Sequence, residues 1–131
     1  MGAWGIGNFD NDTALDWVME LEGEKDLTLV KQTLDAIDEE YVDASEAEEA
    51  LVAIETIARL KGNFGEENSY AEELDNWVKA HPMDIDNILI DKAKKVLRLI
   101  FSEKSELYEL WEETDEFEAW KNEIVGLKER L

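Results

Sequence analysis

Three aspartates, Asp10, Asp12 and Asp16, stand within seven residues near the start of the chain, with Asn11 between the first two. Oxygen donors at that density suit a hard cation, and Asp12 and Asp16 fall one helical turn apart, so their carboxylates share a face. A Mg²⁺ or Ca²⁺ site built on Asp10, Asp12 and Asp16, serving a metal-assisted enzyme, is one reading. The segment is not an EF-hand loop, because counting from Asp10 the fifth position is Ala14 and the sixth is Leu15, where a glycine is required. The other reading is a helix start, in which one of these side chains caps free backbone N–H groups while the acids oppose the positive end of the helix dipole. No cofactor is expected beyond such a cation.

Other reactive side chains are sparse. There is no cysteine, so thiolate chemistry, disulfides and Cys-ligated metals are excluded. His81 is the single histidine, and it stands before Pro82 at a helix end, where a cationic ring suits the dipole. Neither G-x-S-x-G nor H-E-x-x-H occurs. Gly2, Gly5 and Gly7 have the look of a phosphate loop without the strand, helix or Lys-Ser/Thr that such a loop needs, so they read as turns. Lys92, Lys94, Lys95 and Arg98 form a local basic patch, expected to pair with acids of neighbouring helices. Adjacent acid pairs such as Glu48-Glu49 and Glu112-Glu113 do not face each other on a helix and read as solvated surface.

The elements that would position these groups are helical. Hydrophobic residues make up 44% of the 131 residues and five are tryptophans, enough for one core. Ala14, Trp17, Val18 and Leu21 form a first stripe, opened by caps in residues 10–13 and closed at Gly23. Leu27, Val30, Leu34, Ile37 and Tyr41 form a second, with Asp26 as its cap. Capping boxes at Ser45-x-x-Glu48 and Ser69-x-x-Glu72 predict the third and fourth helices, the fourth turning Tyr70, Leu74, Trp77 and Val78 inward. The fifth, from about Ile85 to Ser102 with Ile88 on its inner face, is the most apolar and is the expected central helix. Ser105 and Asp115 predict caps for two more. The expected fold is all-α: a single domain over residues 1–131, with residues 1–9 an irregular glycine-rich lead-in pinned by Trp4 and Phe9, and residues 10–131 an irregular or orthogonal bundle of about seven helices.

Charge bounds the partners. Thirty-four acids against 13 bases give a net charge of −21, which repels phosphate backbones and anionic lipid surfaces. Neither nucleic acid nor membrane is expected as a partner, and no stretch reaches membrane-spanning length. With no basic, apolar leader, the expected location is the cytoplasm. Residues 1–44 carry twelve acids and two bases and form the most electronegative part.

The opening, Met1-Gly2-Ala3-Trp4-Gly5-Ile6-Gly7-Asn8-Phe9-Asp10-Asn11-Asp12-Thr13-Ala14-Leu15-Asp16-Trp17, resembles that of a family of small bacterial proteins catalogued as a domain of unknown function. The likeness continues in Ala53-Ile54-Glu55-Thr56-Ile57-Ala58, in residues 105–113 and in the closing stretch from Trp120 to Leu131. The resemblance implies a bacterial single-domain protein with no established activity. It also implies that Trp4, Asp12, Asp16, Glu55, Trp111 and Glu112 belong to the recurrent pattern and are candidates for a shared binding network. Three functions follow as expectations. The first is a non-enzymatic acidic module that binds a basic protein, an inhibitor or immunity-type protein being one instance; the others are the metal-assisted enzyme and a structural subunit of a helical assembly.

Overall fold

Ten consecutive residues, Ala50 to Arg59, are all buried, a pattern a helix shows only when neighbours cover it on every side. In a computed structural model, which describes Ala3, residues 5–65 and residues 69–131, this stretch lies in the third of seven helices. The helices are α1 (Asp12–Leu21), α2 (Thr28–Asp35), α3 (Ala44–Leu60), α4 (Glu72–Ala80), α5 (Asn87–Ile100), α6 (Glu106–Glu112) and α7 (Phe117–Arg130). The fold is all-α, and pairing outside helices among the described residues is limited to two isolated bridges, Ala3 with Asn11 and Val42 with Ser105.

The central helix is α3 and not α5. Ala47, Ala50, Ala53 and Ala58 are each fully buried, and their small side chains let α1, α2, α4, α5, α6 and α7 all pack against α3. Helix α5 carries more large apolar side chains but keeps an outer face, where Ile88 is 82% exposed. The end of α3 is built by glycine: Gly62 has φ +91, the Gly62 N–H donates to the Arg59 carbonyl and the Asn63 N–H to the Ala58 carbonyl, both at 2.9 Å. These two bonds satisfy carbonyls that the helix end would strand.

Several expected starts move. Helix α3 is capped by Asp43, whose Oδ1 accepts the Glu46 N–H at 2.8 Å, so Ser45 lies inside the helix and Glu48 turns inward instead of closing a box. Asp43 wins because it is a strong cap already in extended backbone two residues earlier. Helix α4 starts after a turn at Ala71 without a side-chain cap; Glu72, Glu73 and Asp75 in its first turn complement the dipole, and Tyr70 is exposed. Asp26 accepts the Thr28 N–H, but the residue at the cap of α2 is Leu27. Helix α7 begins after Glu116, whose N–H donates to the Thr114 hydroxyl and not to Asp115. Helix α2 ends at Asp35, so Tyr41 falls outside its stripe and is exposed; Val42 enters the core instead, held by the Lys104 carbonyl and the Glu106 N–H.

Candidate functional site

Glu55 sits on the buried face of α3, four residues before Arg59, the spacing at which two helical side chains meet. Burying a carboxylate without partners is prohibitively costly, and here every lone pair is used. Oε1 accepts from Asn8 Nδ2 at 2.8 Å and from Arg130 Nη2 at 2.6 Å. Oε2 accepts from Arg130 Nη1 at 2.9 Å and from Arg59 Nη1. Arg59, itself 2% exposed, donates through Nε to Asp75 on α4 at 2.7 Å and lies over the Phe9 ring at 5.1 Å. One side chain of the central helix thus joins the N-terminal loop, α4 by way of Arg59, and α7. A carboxylate with four donors has no free lone pair with which to take a proton from a substrate, so Glu55 is built to hold, not to act as a general base.

The loop that delivers Asn8 is shaped around Asp10. Asp10 Oδ2 accepts the Gly7 N–H at 3.0 Å, and a Cβ on Gly5 or Gly7 would lie 2.5 or 2.8 Å from that oxygen. Glycine is needed there because the aspartate fills the space. Asn11 then caps α1, its Oδ1 accepting the Ala14 N–H at 2.7 Å. Beside Glu55, between this loop and α7, lies a cleft of about 260 Å³ lined by Gly7, Asn8, Asp10, Arg59, Glu123 and Arg130 among others. Asn8 Oδ1 is buried and has no hydrogen-bond partner among the described residues, since its amide nitrogen must face the acceptor-only Glu55.

Among the described residues, those singled out in the sequence stand in different places. Trp4 lies outside the described residues. Asp12 and Asp16 are exposed on α1, while Asp10 is engaged with Gly7; among the described residues no three acidic or histidine side chains gather as a metal would require. Trp111 is buried, stacked on Trp120 with ring centroids 6.3 Å apart, and Glu112 is exposed on the same helix. Of the five candidates among the described residues, only Glu55 stands in that network. His81 stacks on Trp77 at 4.6 Å and its Nδ1 donates to the Trp77 carbonyl. In the basic patch, Lys92 pairs with Asp35 and Lys95 with Glu39.

Residues 2–123 match the family model described as a domain of unknown function, DUF4259. The chain belongs to the DUF4259 family. No curated protein and no solved structure matches it. Asn8, Glu55, Arg59 and Asp75 of the network lie within the DUF4259 match, and Arg130 lies beyond it. In this DUF4259 domain Asn8, Arg59, Asp75 and Arg130 are residues of the network that no motif in the sequence singles out. The Glu55–Arg59 spacing was a visible signal, whereas nothing local in the sequence points from Glu55 to Arg130.

The DUF4259 domain also has places where carboxylates come close to one another. Glu22 at the end of α1 meets Glu73 at the start of α4, and hydrogen bonding between the two raises the Glu22 carboxyl above its ordinary value. Glu46 is raised first by its hydrogen bond with Asp43. Glu49 is raised by burial and then by the charges of Glu20 and Asp43. Among the described residues none of Glu20, Glu22, Glu46, Glu49 and Glu73 is in an ion pair. No described helix is long and apolar enough to cross a membrane.

Proposed function

We propose that this DUF4259 protein is a non-enzymatic binding module that uses its acidic surface to recognise a basic protein partner, an inhibitor or immunity-type protein being one form it would take. The observation that carries the reading is that Glu20, Glu46 and Glu49 line one cleft and Glu22 meets Glu73, with none of the five in an ion pair among the described residues. Repulsion among like charges that fold together without bases is a standing cost, and a cationic surface placed against them would remove it. The saturation of Glu55 points the same way, since the most buried polar network is committed to holding three parts of the chain together.

The test is a pull-down with the whole protein as bait, eluted by rising salt, followed by titration of the purified partner. A single stoichiometric basic protein, released at a defined salt step, supports the reading. Binding unchanged at about 1 M salt, where the screening length is about 3 Å, would defeat it. The metal-assisted reading is tested beside it by thermal shift with Mg²⁺, Mn²⁺ and Ca²⁺. A shift abolished by Asp12→Ala and Asp16→Ala would revive that reading against the one proposed.

A further inference from the structure

Between α1, α2 and α3 the surface opens into a cleft of about 230 Å³. Its floor is apolar. Trp17 and Leu29 are buried beneath it, and Ala36 lines it from the end of α2. The polar atoms of the floor are already engaged: the Trp17 indole N–H donates to the Thr33 hydroxyl at 2.9 Å, and that hydroxyl donates to the Leu29 carbonyl at 2.8 Å. Nothing at the bottom therefore asks for a polar ligand. The rim is the reverse, with Glu20 from α1 and Glu46 and Glu49 from α3 standing over the apolar floor.

We propose that this cleft receives a single lysine or arginine side chain of the basic partner, with its aliphatic stem on Trp17, Leu29 and Ala36 and its charged head among Glu20, Glu46 and Glu49. The proposal rests on the binding-protein reading above and gives that reading a place. Long cationic side chains are the ones that combine an apolar stem with a charged tip, the same division the cleft shows from floor to rim. Among the described residues no base ion-pairs with the rim, and the paired lysines, Lys92 and Lys95, are joined to Asp35 and Glu39. A neutral apolar side chain would cover the floor but leave three carboxylates facing one another in a drier setting. A short acidic or phosphorylated side chain would add to the repulsion.

The experiment follows the Trp17 indole N–H by NMR in the whole protein, assigned with Trp17→Phe. The probes are acetylated, amidated Gly-X-Gly peptides in which X is arginine, lysine or norleucine. Arginine or lysine should give a saturable shift of the Trp17 resonance, and norleucine should not. The triple variant Glu20→Gln/Glu46→Gln/Glu49→Gln should bind about tenfold more weakly, equivalent to about 1.4 kcal/mol. It should fold at least as well, since it relieves repulsion. A control triple on other exposed carboxylates, Glu103→Gln/Glu113→Gln/Glu118→Gln, should bind as the wild type does. The proposal is overturned if Trp17 does not move, if norleucine moves it equally, or if the control triple weakens binding as much. A long polybasic peptide separates the two levels. If it binds with strong salt dependence while Trp17 stays still, the cleft is wrong and the binding reading stands; if it does not bind, the reading itself fails.

Discussion

Arg130 clasps Glu55 with both terminal nitrogens, at 2.6 and 2.9 Å, across 75 residues of chain. The pair is unequal in exposure, since the Glu55 side chain is 4% exposed and that of Arg130 is 22%. Removing the buried member takes a carboxylate from both Arg130 and the buried Arg59, which is left with Asp75 alone. Glu55→Ala should therefore destabilise the fold by about 3–5 kcal/mol, the usual result of breaking a buried ion pair, and Arg130→Ala by clearly less. Urea denaturation of the two variants checks the order. Equal losses would mean that Glu55 is not the hub.

Asn11, Asp12 and Asp16 are separated by one comparison. Asn11→Ala should cost about 1–2 kcal/mol, because its buried oxygen caps α1. Asp12→Ala and Asp16→Ala, both at exposed positions, should stay within about 0.5 kcal/mol of wild type. Thermal melts of the three proteins report it.

Gly7→Ala should destabilise by about 1–3 kcal/mol, because its Cβ would press on an Asp10 oxygen pinned by the Gly7 N–H. Asp10→Ala opens that space. The double variant should consequently be less destabilised than the sum of the singles, a coupling that a double-mutant cycle measures directly.

The response to pH should have opposite signs for stability and for binding. Glu48 is raised by burial above the ordinary glutamate value of 4.5, as is Glu49, while Glu46 is raised mainly by its hydrogen bond with Asp43. A carboxyl raised on folding holds its proton more tightly in the folded state. Its penalty is fully present above the folded value and is relieved as pH falls through it. The melting temperature should thus rise on mild acidification from neutral pH, before falling where groups such as Asp26 and Glu39, whose values are lowered by hydrogen bonds to Thr28 and Lys95, take up protons. Over the first interval, affinity for basic peptides should drop as Glu46 and Glu49 lose charge. A parallel rise of both would separate the crowded carboxylates from binding.

Helix positions were legible because buried stripes at steps of three and four leave a local record, as in Ala14, Trp17, Val18 and Leu21. Starts were less so: Asp43 and Ser45 are both good caps, and backbone conformation, not residue type, decides between them. The choice of central helix failed for a related reason. Counting large apolar residues favours α5, but a helix wrapped on all sides needs small ones, and the alanines of α3 supply them. Of the candidate network, Glu55 was within reach of sequence pattern alone. Arg130, Asp75 and Asn8 meet it only through tertiary packing, as do Glu20, Glu46 and Glu49 at the cleft, and spacing along the chain carries no trace of such meetings.

The clasp of Glu55 also sets an order of events on the ribosome. Arg59 follows Glu55 after four residues, yet Arg130 is made only after a further 71, the difference between the two separations of 75 and 4. Until then half of the carboxylate's lone pairs lack their final donors, and the central helix carries a partly paired charge that disfavours burial. A nascent chain halted before α7 should remain loosely packed and sensitive to protease, and should tighten when the last helix emerges.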